Sequence, residues 1–352
     1  MPGRPGRVIT TMDSVTQIAL GAAVGEAVLG RRIGNKALLW GGIIGTLPDL
    51  DVFVPLGDVV KDFTYHRSAT HSLFMLALAT PLLVWVINRI HPGLREHRWR
   101  WALLVYLVFV THVLLDSFTS YGTQLFWPIV DTPVSWSTIF IIDPLYTLPL
   151  LVGVIAALVM SRDRARGHRW NRVGLIVSSL YLSWTVVASF IAQQGFGSAL
   201  QAQNIEHEQV YVTPAPFNSL LWRAVVIDAR GYYEGYYSLL DDGEDIAFVH
   251  YPSDRQLLTG IEEHWPVRRL QWFSRGIYSV KLIQGDIVIS DLRMGVEPHY
   301  VFRFKIGEIG NPHAYPTTAK KLAPVRDLGR MPQLWARIWD QSVALSPPVP
   351  KL

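Results

Sequence analysis

The side chains able to do chemistry stand in four short motifs, each at the edge of an apolar run. Asp49 and Asp51 lie in Leu-Pro-Asp-Leu-Asp, His66 and His71 in His-Arg-Ser-Ala-Thr-His-Ser, His112 and Asp116 in Thr-His-Val-Leu-Leu-Asp, and Asp143 in Ile-Ile-Asp-Pro-Leu-Tyr. His112 and Asp116 are four positions apart, so on a helix they share a face. An imidazole and a carboxylate so placed can hold one metal ion or bridge two. The chain has no cysteine, which excludes thiolate sites, thiol nucleophiles and disulfides. Imidazole plus carboxylate without thiolate suits Zn²⁺, with Mn²⁺ the other candidate among borderline ions. Asp49 follows Pro48, where a helix would stop and leave the carboxylate free to turn inward. His66 and His71 sit where a loop enters a helix. Plainer roles exist for each group: a hydrogen-bonded helix pair for His112 and Asp116, a surface loop for His66, helix caps for Asp49 and Asp51. Asp143 before Pro144 is a helix-start signal or an outer partner of the site.

The elements that must position these groups are apolar spans. A membrane-crossing helix needs about 20 mostly apolar residues. Leu73–Ile90, Trp101–Leu115, Ile139–Met160 and Val173–Ala192 meet this description. Val15–Leu29, which carries Glu26, and Ala37–Pro55, which is interrupted by Pro48, are weaker candidates. The fold expected is an α-helical polytopic membrane domain of about six spans over residues 12–195. Gly21, Gly25, Gly41, Gly42 and Gly45 permit close helix contact within it. Connectors one, three and five are rich in arginine and the fourth, Ser120–Ser137, has no Lys or Arg. Basic loops face the cytoplasm, so the sixth span delivers the C-terminal region to the outside. Arg4 and Arg7 fit this less well unless the first segment is re-entrant or the chain starts at Met12.

Depth ties the motifs together. Asp49 is thirteen residues beyond Lys36 and His112 twelve beyond Arg100. At 1.5 Å per residue both lie about 18–20 Å up, roughly two-thirds of the way across a ~30 Å core. Asp116 and His71 come out at about 24 and 27 Å by the same rule. Ionisable groups at such depth cost roughly 2.5–3.5 kcal/mol each on insertion scales, so they have partners and a task.

Composition agrees with a split chain. Of 352 residues 50% are hydrophobic and only 17% charged, against about 25% charged in an ordinary globular domain. The net charge of +4 is concentrated between apolar runs, where topology explains it better than nucleic acid does. After Gln203 the pattern changes to alternation. Trp222–Asp228, Tyr232–Leu240, Ile246–Tyr251, Trp272–Ile283, Ile287–Leu292 and Tyr300–Ile306 are expected strands, with turns at Asp241-Asp242-Gly243 and Gln284-Gly285-Asp286. Residues 205–340 should form a small, mostly-β soluble domain, outside the cytoplasm, with flexible termini at 1–11 and 341–352. It has no ligand-like cluster, and a substrate-access role or an envelope protein partner is expected for it.

Met-Asp-Ser-Val-Thr-Gln, Gly-Thr-Leu-Pro-Asp-Leu-Asp, the His66–Ser72 motif, Thr-His-Val-Leu-Leu-Asp-Ser-Phe-Thr-Ser-Tyr-Gly-Thr-Gln and Phe-Ile-Ile-Asp-Pro-Leu-Tyr-Thr follow one another in order. Together they resemble the YdjM-like family of inner-membrane proteins, described as membrane-bound metal-dependent hydrolases, over roughly residues 12–150. The family is distantly similar to the helical zinc-dependent phospholipase C and zinc nuclease group, with His112 and Asp116 as the shared element. Many shorter members carry a Thr-His pair near the N-terminus where this chain has Thr16-Gln17, and Glu26 could compensate for that histidine.

The resulting expectation is a metal-dependent hydrolase of the bacterial or archaeal inner membrane. It would act on a phosphoester of a lipid or lipid-linked substrate at the outer leaflet. Asp49, His66, His71, His112 and Asp116 would hold the metal, Asp51 or Glu26 would accept a proton, and Arg67 would hold a phosphate oxygen. The alternative is a non-enzymatic transporter or envelope assembly factor that uses the same polar cluster structurally. A transporter would often show two related halves, and none is found.

Overall fold

Two short helices open the computed structural model of the chain, which describes residues 14–243, 245–324 and 328–345. They are α1 (Ser14–Gly25) and α2 (Asn35–Thr46). α1 runs on through a π turn, Glu26–Gly30, and a last turn, Arg31–Ile33. Gly34 then reverses the chain at φ 65°, a conformation that favours glycine. α2 gives way to a 3₁₀ turn, Pro48–Phe53, because Pro48 has no N–H to return to the helix. Next come α3 (Val59–Tyr65), capped by the Asp58 carboxylate, then α4 (Leu73–Ile90) and α5 (Arg98–Phe118). α6 (Pro144–Val159) and α7 (Arg164–Ala202) complete the helical region.

The expected six spans reduce to three. Among the described residues, Leu73–Ile90, Pro92–Phe118 and Arg164–Ala202 are long and apolar enough to cross a membrane, and Pro144–Val159 is a shorter apolar helix. α2 has 12 residues, about 18 Å at 1.5 Å per residue and well short of a ~30 Å core. α1 has 12 residues and is prolonged only by turns that carry Glu26, Arg31 and Arg32. The expected span from Ile139 is also shortened, because Asp143 caps α6: its Oδ1 accepts from the Leu145 and Tyr146 N–H groups.

The chain forms two compact units, neither of them continuous in sequence. The first comprises residues 14–48, 76–114 and 141–181, and the second 49–75, 115–140 and 182–345. Three of the five divisions fall inside the helices α4, α5 and α7.

In the first unit α1 and α2 touch backbone to backbone. A Cβ on Gly21 would lie 2.3 Å from the Gly41 carbonyl oxygen, and one on Gly41 would lie 2.1 Å from that of Gly21. Cβ atoms on Gly25 and Gly45 would lie 2.3 and 2.6 Å from the Ala37 and Gln17 carbonyl oxygens. The hairpin therefore depends on an uninterrupted stripe of hydrogen side chains, the small-residue packing used where apolar surface alone does not favour association. Thr16 bonds Thr147 of α6 at 2.8 Å, and Asn171 of α7 donates to the Ala23 carbonyl at 2.9 Å.

In the second unit the C-terminal region is mostly antiparallel sheet. β1 (Gln209–Pro214), β2 (Leu221–Asp228), β3 (Gly231–Ser238) and β4 (Phe248–Pro252) form one meander. Helix α8 (Trp265–Phe273) follows. β5 (Tyr278–Ile283), β6 (Asp286–Asp291), β7 (Arg303–Glu308) and β8 (Tyr315–Lys321) form the second meander, and α9 (Met331–Trp339) comes last. Gln284 and Gly285, both at positive φ, close the β5–β6 hairpin as a two-residue loop. The expected strand from Trp272 begins only at Tyr278, since Pro266 starts a helix that runs to Phe273. The distal part of α7 buries Ala188, Ala192, Phe196 and Ala199 against Trp222, Ala224 and Val226 of β2. The second sheet and α8 close over Val60 and Phe63 of α3 and over Tyr121. The Phe63 ring alone meets Tyr121, Phe273, Phe302 and Phe304 at centroid separations of 4.4–5.4 Å.

The expected flexible termini at 1–11 and 346–352 lie outside the described residues, as does Met12-Asp13 of the first motif. Residues 341–345 are not loose: Leu345 is buried with Ala215, Leu221 and Ile338, and its carbonyl accepts from Arg330.

Candidate metal centre

Pro48 ends α2 and turns Asp49 out of the helix ladder, and a 3₁₀ turn at Ala69–His71 presents the second histidine. α5 carries His112 and, one turn on, Asp116. Each of Asp49, His71, His112 and Asp116 offers one ligand atom, and these atoms all lie within 4.8 Å of one another. All but Asp49 are buried.

Hydrogen bonds fix which nitrogen each imidazole presents. His112 Nδ1 lies 2.8 Å from the Gly45 carbonyl oxygen, which can only accept. Nδ1 therefore carries the proton and Nε2 the lone pair. Thr70 Oγ1 donates to Asp51 Oδ2 at 2.6 Å, so its lone pair is left to accept from His71 Nδ1 at 3.0 Å. His71 Nε2 then faces inward, 3.3 Å from Asp49 Oδ1 and 3.2 Å from Asp116 Oδ2. A protonated His71 pairs with both carboxylates there, and a neutral one offers its lone pair to a cation that they would share. Two ligands at ~2.1 Å in tetrahedral geometry would stand roughly 3.4 Å apart, close to these separations. The donor set thus fits a metal ion, with imidazole and carboxylate ligands and outer partners that orient them.

Arg67 is the charge counterweight. Its side chain is buried, its guanidinium lies 3.1 Å from Asp116 Oδ1 and donates to Thr119 Oγ1 at 3.2 Å, and it stacks over the Tyr121 ring. Asp116 thus gives one oxygen to Arg67 and turns the other toward His71. Arg67, expected to hold a phosphate oxygen, is found holding a carboxylate of the site.

The other expected residues divide. His66 is not in the four-residue group. Its Nδ1 donates to Asp51 Oδ1 at 2.7 Å, and the positive φ of Arg67 (62°) turns the chain between it and His71. Asp51 is likewise outside the group: it accepts from His66, from Thr70 and from the Arg67 N–H. Burial opposes its ionisation, but the bonds from His66 and Thr70 and the pull of both histidines hold its carboxyl below the ordinary value. Glu26 is not in the four-residue group either. Gln17 is the residue beside His112, its amide donating to the His112 carbonyl at 3.4 Å. Glu26 lies nine residues further along α1 and its π turn, about 13 Å by helical rise, where its Oε1 is 3.5 Å from His168 Nδ1. Asp143 is a cap whose second oxygen takes the Tyr181 hydroxyl.

Thr70 and Thr119 escaped the sequence reading; a threonine beside a histidine gives no signal until the loop is folded. Thr70→Val removes the acceptor that holds His71 Nδ1. We expect metal affinity to fall about 10–100-fold, the usual effect of losing an outer partner, while the protein still inserts. Competition with a chromogenic chelator measures this, and an unchanged affinity would exclude Thr70 from the site.

The YdjM inner membrane protein family matches residues 12–192, which include all four residues of the group. The chain belongs to this family. It is also similar to the uncharacterized protein YfhP of Bacillus subtilis (strain 168), 26% identical over 232 residues, 64% of this chain and 68% of that protein. No solved structure matches. Membership in an inner membrane protein family agrees with three helices long and apolar enough to cross a bilayer.

Proposed function

We propose that this YdjM-family protein is a membrane-embedded, metal-dependent hydrolase that acts on a phosphoester of a lipid or lipid-linked substrate. The convergence of Asp49, His71, His112 and Asp116 carries the reading. Zn²⁺ is the ion proposed, since two imidazoles and two carboxylates without thiolate suit it. When bound, such an ion supplies a Lewis acid and lowers the pKa of water. The residues of the chain do the rest. His71 and His112 present unprotonated nitrogens, and Arg67 offsets the charge of Asp116. Asp51 orients His71 through Thr70. Asp49, the most exposed of the four, marks the side from which substrate and water arrive.

A lipid source for the substrate is supported by the turn that carries Asp49. Asp49 and Asp51 point inward from Pro48–Phe53, whereas Leu50, Val52, Phe53, Val54 and Leu56 are exposed, a run of apolar side chains beside an ionisable site. Reconstituted protein loaded with zinc should release phosphate or headgroup from liposomes of mixed phospholipids and lipid-linked phosphates. Chelator and Asp49→Asn should abolish the release. A metal-loaded protein inert on all of them, yet altered in ion or solute flux when His112 is replaced, would point to the transporter alternative.

We also propose a multi-pass topology in which α4, α5 and α7 cross the membrane together with the shorter α6, placing the Arg162–Arg172 segment in the cytoplasm and residues 205–340 outside. The basic loops support this orientation. A cysteine at exposed Asp242 should react with an impermeant thiol reagent in intact cells, and one at Arg166 should not. The reverse pattern would invert the topology.

A further inference from the structure

Helices α3 and α8 pack side by side in the second unit, and two cations lie on aromatic faces along their seam. Lys61 Nζ stands 5.6 Å from the centre of the Trp265 ring. Arg269 lies 4.5 Å from the Tyr65 ring centre and 3.9 Å from that of Trp272. Lys61 and Tyr65 are four residues apart on α3, and Trp265 and Arg269 four apart on α8, so each pair shares a helix face. The cations come from opposite helices and form a ladder.

Neither cation has a carboxylate within salt-bridge distance among the described residues, although carboxylates pair Arg67, Arg223, Arg293 and Arg337 of the same unit. Arg269 is half-buried, and burial pushes its guanidinium below the ordinary value even though Tyr65 and Asp131 pull the other way. Its Nε donates to Thr64 Oγ1 at 3.0 Å. That bond and the two rings hold the guanidinium in place and direct it by the edge that carries the Nη groups. A rigid, partly dehydrated fork without a carboxylate suits an anion that accepts two parallel hydrogen bonds.

The seam is continuous with the metal centre through one segment. Thr64 and Tyr65 directly precede His66, which bonds Asp51, and Asp51 anchors Thr70 next to His71. We propose that Arg269 and Lys61 form a phosphate-binding subsite, through which the C-terminal region grips the phosphate of the substrate beside the metal centre. This rests on the reading of that centre as one that acts on a phosphoester. Phosphate is the shared chemistry of two sources, a lipid headgroup and a free phosphate, and the two separate experimentally.

The test uses the full-length protein in detergent, stripped of metal by a chelator and titrated calorimetrically. The probes are a short-chain phosphatidic acid, inorganic phosphate and a short-chain diacylglycerol that lacks phosphate. The phosphatidic acid should bind. Arg269→Gln should weaken it about ten- to a hundred-fold, the range for lost hydrogen bonds to a charged group. Lys61→Gln should weaken it less, and Arg269→Lys should fall between wild type and Arg269→Gln. Metal content in all three variants should equal that of wild type, which shows that the fold and the centre persist. Phosphatidic acid bound without inorganic phosphate identifies a headgroup subsite, and both bound alike identifies a phosphate subsite. The proposal is overturned if neither phosphate probe binds, if the diacylglycerol binds as well as the phosphatidic acid, or if Arg269→Gln binds like wild type. Stripped protein that binds phosphatidic acid, while metal-loaded protein turns over no phosphoester, would remove the hydrolase reading and leave the subsite standing.

Discussion

Asp116→Ala should abolish metal binding and also destabilise the protein, whereas His71→Gln should abolish metal binding at far smaller cost in stability. Both residues offer an atom to the four-membered group. Loss of either should lower metal affinity by more than the ~10–100-fold typical of an outer partner. Asp116 has a second duty that His71 lacks, because its Oδ1 neutralises Arg67, whose side chain is only 4% exposed. Removing one partner of a buried pair strands the other charge, at a cost of about 3–5 kcal/mol. Elemental analysis of the purified variants and their thermal unfolding in chelator, where metal cannot contribute, separate the two effects. Equal metal content in wild type and both variants would refute the site. Equal thermal stability of the two apo variants would refute the role given to Arg67.

The second large effect is expected far from any ionisable group. Gly41→Ala adds one methyl group to α2, yet its Cβ would sit 2.1 Å from the Gly21 carbonyl oxygen, with rigid backbone on both sides. The hairpin must part to admit it, at a cost of about 1–3 kcal/mol or more. Gly45, which supplies the acceptor for His112, shares that helix, so metal binding should weaken together with stability. Gly42→Ala is the control. It makes the same change one residue along, and its Cβ would meet nothing nearer than Ile18 Cγ2 at 3.4 Å, an ordinary contact. A thermal midpoint lowered by several degrees in Gly41→Ala and unmoved in Gly42→Ala supports the backbone contact. Equal behaviour of the two would show that the helices do not meet this way in the bilayer.

These two cases also mark what could be read from the sequence. Asp49, His71, His112 and Asp116 were legible because ionisable groups are conspicuous against apolar runs and because helical rise converts spacing into depth. His66 was not separable from His71. Both stand in one loop, and only the backbone turn at Arg67 sends one to Asp51 and the other to the centre. Hydropathy registers composition and not length, so α2 resembled a span although it is only 12 residues long, and α1 resembled one although its continuation carries Glu26, Arg31 and Arg32. Strands with clear alternation, such as β2 and β6, were found within a residue or two. The exposed edge strand β8, with Pro316, Lys320 and Lys321 within it, gave no alternation to find. The closure of the second sheet over Phe63 and Tyr121 joins residues some two hundred positions apart, and no local pattern encodes it.

The two imidazoles of the centre differ in how exposed they are to mutational drift. His112 takes its tautomer from the main-chain carbonyl of residue 45. Every amino acid has that oxygen, so no substitution can delete it directly; a change can only displace it. His71 takes its tautomer from the Thr70 side chain and, through it, from Asp51. A single nucleotide change can erase either. Descendants of this chain can therefore retune the metal centre stepwise at the His71 end while the His112 end stays as inherited. Variation among future sequences should gather at positions 51 and 70 before it reaches the partner of His112.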